Sequence, residues 1–158
     1  MADDERRDFV PDDFAVPTEL VTDEFRLEPL GPQHNAADYD AWTSSIEHIR
    51  ATPGYPDGTW PRPMTPERNL ADLRRHAQDF ENRAGFTYTV LAGGGDRVVG
   101  CVYIYPSDVA GVADVRSWVR ADRADLDIPL HDAVASWLES AWPFEGVSYA
   151  PRHGTQPG

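Results

Sequence analysis

Three consecutive glycines, Gly93-Gly94-Gly95, lie between two segments that alternate in the manner of strands. Phe86 to Ala92 alternates aromatic and β-branched residues with threonine, and Arg97 to Tyr105 alternates again after Asp96. Successive strand side chains point to opposite faces, and glycine readily supplies the positive φ of a tight turn, so the pattern predicts a β-hairpin. A glycine run can also cradle phosphate, but that use needs a strand followed by a helix, and here strand follows strand. The chain must therefore build around an antiparallel pair. Ala113 to Ala121 extends it, with Val115, Ser117 and Val119 on one face and Arg116, Trp118 and Arg120 on the other.

The flanks supply the rest. Phe25-Arg26-Leu27-Glu28-Pro29-Leu30 alternates and stops before Pro32, which predicts a strand. A helix follows from about Asn35 to Arg50, with Tyr39, Trp42, Ile46 and Ile49 on one face. Residues 51–65 hold four prolines and two glycines and predict a long loop. Thr65-Pro66-Glu67 can open a second helix, with Leu70, Leu73, Ala77 and Phe80 as its buried face and Gly85 as its stop. Asp127 can cap a third, from about Ile128 to Trp142, with Leu130, Val134, Trp137 and Leu138 as its apolar face. Pro143 ends it, and Gly146 to Ala150 forms a short last strand, reached by a right-handed parallel crossover.

The chain has 158 residues, enough for one domain with its own core, and its 17 aromatic residues argue against disorder. A formal charge of −13 speaks against nucleic-acid or anionic-membrane partners. Much of the acid is near the N-terminus, in Asp3, Asp4, Glu5, Asp8, Asp12 and Asp13, so residues 1–24 read as an acidic, partly ordered segment whose Phe9–Val21 stretch could lie against the domain of residues 25–150. Residues 151–158 read as a loose tail. All 14 basic residues are arginine, which suggests a GC-rich, bacterial genome. Cys101 is the only cysteine, so no internal disulfide is possible, and no apolar run suits a signal peptide or membrane span. A cytoplasmic location is the default expectation. His34, His48, His76, His131 and His153 show no metal-ligand spacing.

The order strand, helix, helix, three strands, helix, strand resembles the GNAT superfamily of N-acetyltransferases. Three segments carry the likeness: Phe25–Leu30 resembles the family's opening strand, Arg97-Val98-Val99-Gly100-Cys101-Val102-Tyr103-Ile104 its "x-V-V-G-x-x-x-I" third strand, and Trp118-Val119-Arg120 the end of its fourth. The resemblance spans about residues 20–150. It implies an α/β (α+β) fold, a mixed, mostly antiparallel sheet with helices on both faces. It also implies acyl transfer from acetyl-CoA to a small-molecule or peptide amine. A general base would remove a proton, and a backbone N–H at a bulge in the fourth strand would polarise the thioester carbonyl. The cofactor would lie between the fourth and fifth strands, with its pyrophosphate on the N-terminus of the following helix.

By this resemblance Trp118, Val119, Arg120, Arg123, Ala124, Asp125 and Leu126 are the cofactor candidates, and Glu47 or His48 is the base. Tyr55, Trp60, Tyr103 and Tyr105 are candidates to line the acceptor site. Each has a plainer structural reading: a core strand for Val119, surface ion pairs for Arg120 and Arg123, solvated helix-end groups for Glu47 and His48. Cys101 shares the Tyr103 face and reads as a buried small residue. The family's loop after the fourth strand reads Arg or Gln followed by Gly-x-Gly-x-Gly or -Ala. Here Arg123-Ala124-Asp125-Leu126-Asp127-Ile128-Pro129 puts Asp125, Asp127 and Pro129 where small residues stand. Carboxylates repel a diphosphate and proline lacks an N–H, so acetyl-CoA is expected to bind weakly or not at all. The family's next helix and hairpin are not present after Tyr149, which leaves a strand that could pair across a homodimer. The alternative to an enzyme is therefore a catalytically inactive binding or regulatory module on the same fold.

Overall fold

The computed structural model describes residues 9–55 and 61–152. Six strands form one sheet in chain order: β1 (Leu20–Val21), β2 (Phe25–Pro29), β3 (Phe86–Ala92), β4 (Val98–Pro106), β5 (Val112–Val119) and β6 (Gly146–Tyr149). Neighbours are antiparallel from β1 to β5, and β6 runs parallel to β5, with Val112 opposite Gly146 and Val115 opposite Tyr149. The hairpin forms as its glycines predict. The Ala92 N–H donates to the Arg97 carbonyl at 2.9 Å, and Gly94 takes φ 77°. β1 escapes sequence reading because two residues cannot show alternation. It is set by the Thr22 hydroxyl oxygen, which accepts from the N–H groups of Glu24 and Phe25 and folds the chain back onto β2.

Among the described residues four helices accompany the sheet: α1 (Asn35–Thr43), α2 (Ile46–Arg50), α3 (Pro66–Glu81) and α4 (Asp127–Ala141), with 3-10 turns at Pro32–His34 and Ala121–Leu126. The single helix expected over 35–50 is broken at Ser44-Ser45. Ser44 bonds back to the Ala41 carbonyl at 3.0 Å, and the Ser45 hydroxyl accepts the Ala121 N–H at 2.8 Å, so serine side chains compete with the helix ladder. α3 starts as expected, the Thr65 hydroxyl accepting the Arg68 N–H at 3.1 Å. It stops before Gly85. Arg83 takes the left-handed φ of 60° and is held there by donating to the carbonyls of Pro11 and Phe14 at 2.6 and 2.9 Å. Asp127 does not cap α4. Leu126 holds the cap position and Asp127 is the first helical residue, its carboxylate otherwise engaged.

The two faces of the sheet carry separate cores. Val115 and Val119 of β5 pack with Leu130, Val134 and Leu138 of α4 on one face, together with Val10 of the N-terminal segment. Leu91, Cys101 and Trp118 pack with Trp42 of α1, Ile49 of α2 and Leu73 of α3 on the other. Helices therefore cover both faces, as the alternation of β5 requires. The buried stripe of α3 is rotated from the expected one: Asn69 and Leu73 are buried, while Leu70 and Ala77 are only half-buried. No helix among the described residues is long and apolar enough to cross a membrane.

Candidate functional site

The resemblance assigns a cofactor to the gap between β5 and β6. Pairing of these strands ends at Val115 and Tyr149. The Arg120 N–H bonds to Val99 on β4, so by the two-residue alternation Ser117 turns its carbonyl away from β4 and into the gap. The guanidinium of Arg152 lies there. It donates to the Ser117 carbonyl at 2.9 Å, to the Ser117 hydroxyl at 3.2 Å and to the Ala150 carbonyl at 2.8 Å, and its Nε donates to Asp127 at 2.8 Å. The side chain is 2% exposed. The hydroxyls of Ser117 and Tyr149 share a hydrogen bond of 2.6 Å beside it, and burial pushes the Tyr149 phenol up to about 12. Tyr149 also packs against His131, with ring centroids 4.1 Å apart and the rings tilted by 39°, and burial pulls that imidazole below its usual range.

The strand edge and the loop are equally altered. The β4–β5 ladder runs without interruption from Pro106 opposite Ala113 to Gly100 opposite Val119. The bulge that would present a catalytic N–H on β5 is not formed; the sheet's register shift lies between β3 and β4, at Val90/Leu91. In the following turn the N–H groups of Arg120, Ala121 and Arg123 are bonded to Val99, Ser45 and Arg120 respectively. Both arginines proposed for phosphate are engaged: Arg120 by Asp40 and Asp122 at 3.1 and 3.3 Å, Arg123 by Asp125 at 3.1 and 3.2 Å. The Arg97 hydrogen bond holds the Asp122 carboxyl below its usual range, and the Arg123 hydrogen bond does the same for Asp125. A diphosphate at the start of α4 would meet ionised carboxylates, occupied N–H groups and the missing donor of Pro129. This residue set does not fit it.

On the opposite face of the sheet a cavity of about 490 Å³ opens between α1, α3 and strands β4 and β5. Its floor is a buried polar network. The Trp42 indole donates to the Asn69 carbonyl oxygen at 3.1 Å, and the Asn69 amide donates to Asn35 at 2.9 Å and to the Asp38 carboxylate at 3.1 Å. Burial pushes Asp38 up to about 6, against the Asn69 hydrogen bond and the nearby His34, which favour its charged form.

One wall carries a second relay. The Tyr105 hydroxyl donates to Asp79 at 2.8 Å, and His76 Nδ1 lies 3.0 Å from that hydroxyl and 3.1 Å from Thr87. The phenol has one proton and gives it to the carboxylate, while the Thr87 hydroxyl beside His76 Nδ1 can either donate or accept. Burial, with Arg75 nearby, lowers His76 to about 4, leaving it neutral at pH 7.

Of the acceptor-site candidates, Tyr55, Tyr103 and Tyr105 come together around this cavity. Tyr103 accepts from the Trp118 indole at 2.9 Å, Arg116 lies 5.8 Å above the Tyr55 ring, and burial raises all three phenols. Trp60 lies outside the described residues. Glu47 is exposed and His48 half-buried on α2, and neither lines the cavity. Trp118, Val119 and Leu126 are wholly buried core side chains, and Ala124 and Asp125 lie exposed on the turn. Sequence reading missed Asp38, Asn69, His76 and Arg152. Asn69 and His76 keep helical step with Leu73, a polar signal on an apolar stripe that was available. Arg152, assigned to a loose tail, carried none. Among the described residues no group of three or more metal-ligating side chains comes together.

Neither a protein-family model nor a curated protein matches this sequence. Solved structures do. The ribosomal-protein-S5-alanine acetyltransferase of Vibrio fischeri superposes with a TM-score of 0.61 at 12% identity, over 79% of this chain and 69% of that one. The Salmonella typhimurium acetyltransferase that modifies the N-terminal serine of ribosomal protein L7/L12 gives 0.62 at 8% identity, over 79% and 69%. The microcin C7 self-immunity acetyltransferase, solved with acetyl-CoA and AMP, gives 0.59 at 14% identity, over 78% and 66%. The chain thus spans about two thirds of the length of these neighbours. At such identities the likeness shows the fold, which is that of the GNAT acetyltransferases.

Proposed function

We propose that this chain is a GNAT-fold ligand-binding module in which acetyl-CoA-dependent transfer has been lost while the acceptor-side cavity has been kept. The observation that carries this reading is Arg152, seated between the Ser117 carbonyl and the Asp127 carboxylate where the cofactor's pantetheine arm would need to lie. The unbroken β4–β5 ladder supports it, because the strand forms no bulge of the kind that would aim an N–H at a thioester carbonyl. The solved neighbours, acetyltransferases by description, support the rival reading of acyl transfer to an amine. That reading requires Arg152 to leave a site where it makes four hydrogen bonds.

The test is calorimetric titration with CoA of the wild type and of Arg152→Ala. Negligible heat from the wild type is expected. Micromolar binding by the wild type, with acetyl-CoA hydrolysis or transfer to any amine, would overturn the proposal.

A further inference from the structure

The residues that line the cavity between α1, α3 and the sheet include four arginines and three aspartates, with Asp79 behind Tyr105, in a chain whose formal charge is −13. Arg75 is bonded to Asp72 at 2.9 Å, and Arg116 lies 3.8 Å from Asp114. Arg62 and Arg68 have no hydrogen bond or ion pair to their guanidinium groups among the described residues. The third lining carboxylate, Asp38, is on the floor, where Asn69 bonds it and burial disfavours its charge, and Asp79 accepts from the Tyr105 hydroxyl. Elsewhere the arginines are mostly consumed: Arg26, Arg50, Arg83, Arg97, Arg120, Arg123 and Arg152 each donate to a carbonyl or carboxylate. Two unmatched guanidinium groups at one cavity mouth are thus a local feature of the site. Between the polar groups, Leu30, Trp42, Met64, Leu73 and Tyr103 give the cavity apolar and aromatic lining.

We infer that this cavity is a binding site for a small organic anion, an apolar or aromatic body carrying a carboxylate or phosphate that Arg62 and Arg68 hold at the mouth. Guanidinium groups match planar carboxylate and phosphate oxygens in paired hydrogen bonds, and the volume is that of a small-ligand site. A −13 chain also repels free anions in general, so a cationic mouth is what allows an anionic ligand in. The inference rests on the reading above only in taking the acceptor-side cavity as the ligand site. It is tested with ligands that contain no CoA, so the two can fail separately.

The probes are phenyl phosphate, benzoate and benzylamine, which share one ring and differ in charge, titrated by NMR or calorimetry into the full chain. Phenyl phosphate or benzoate should bind, with the stronger of the two identifying the anionic group, and benzylamine should bind at least about tenfold more weakly. Binding should weaken as NaCl rises. Arg62→Ala/Arg68→Ala should reduce anion affinity about tenfold or more without lowering Tm, since both residues are exposed. Arg74→Ala serves as the control. Arg74 is an exposed residue of the same helix outside the cavity, and its loss should leave affinity unchanged. The inference is overturned if no anion binds, if benzylamine binds as tightly, or if Arg74→Ala weakens binding as much as the double variant.

Discussion

Arg152 and Asp127 form an ion pair of 2.8 Å at the junction of β6 and α4, with the arginine side chain 2% exposed and the aspartate 21%. The second oxygen of Asp127 is buried without a hydrogen-bond partner among the described residues. The pair therefore leaves little slack. Arg152→Ala strands a partly buried carboxylate and removes the donor to the Ser117 carbonyl, which should cost about 3 kcal/mol. Removing both partners, Arg152→Ala/Asp127→Ala, should cost less than the sum of the single changes, because no unpaired charge remains. Urea unfolding of the four proteins measures this. Additive losses would mean that the two groups stabilise the fold independently.

Gly100, in the Val98-Val99-Gly100 segment of β4, is fixed by contact with the neighbouring strand. A Cβ there would lie 2.5 Å from the Trp118 carbonyl oxygen and 3.3 Å from a Val119 methyl. Both atoms belong to β5, whose paired backbone cannot retreat without breaking the ladder. Gly100→Ala should therefore destabilise by about 2–3 kcal/mol, read as a lower urea midpoint. An unchanged midpoint would show that β5 yields more easily than a paired central strand should.

Much of the scaffold was legible because it rests on short-range signals. The Gly93–Gly95 turn, the alternation of Val115 and Val119 against Trp118, and the Thr65 cap are each written within a few residues, and strand order follows from connection lengths. What escaped depends on contacts distant in sequence. The break at Ser45 is stabilised by Ala121, the left-handed Arg83 by Pro11 and Phe14, and the placement of Arg152 by Ser117 and Asp127. On the cofactor side the sequence shows only charges, and from these Asp125 and Asp127 are expected to repel a diphosphate. On the proposed reading the larger obstacle is Arg152 in the gap, which leaves no local trace in the sequence. Asp127 is also more structural than its sequence position suggests. An Asp127→Gly change would release a buried arginine as well as removing a repulsive charge.

Cys101 faces the second core, 0% exposed, beside Tyr103. Burial pushes its thiol well above the usual range, so the nucleophilic thiolate is scarce in the folded state. A thiol reagent such as 5,5′-dithiobis(2-nitrobenzoate) should react with the native protein only at the rate of opening, and at once in denaturant. The Tm should be the same with and without reductant. Stoichiometric labelling of the native protein within seconds would place the thiol at the surface.

Asp38 and His76 give the fold two pH responses of opposite sign. Asp38 is raised from 3.8 to about 6, so the folded state holds its proton more tightly than the unfolded chain. Its contribution is full below about 4 and is lost as pH rises through about 6, up to roughly 3 kcal/mol in all. His76 is lowered from 6.5 to about 4, so the unfolded chain takes a proton first and stability falls as pH drops from about 6.5 toward about 4. In the wild type these slopes oppose each other between pH 4 and 6.5. Asp38→Asn removes one of them and can keep a polar contact with Asn69, whose amide donates to the carboxylate. Its stability relative to the wild type should rise by about 2 kcal/mol between pH 4 and pH 7, and its own profile should climb over that interval as the responses of His76 and His131, both lowered by burial, are left unopposed by Asp38. Urea unfolding of both proteins at pH 4, 5.5 and 7 provides the measurement. A difference that does not change with pH would mean that Asp38 ionises in the fold as it does in the unfolded chain, and that the cavity floor is wetter than its burial implies.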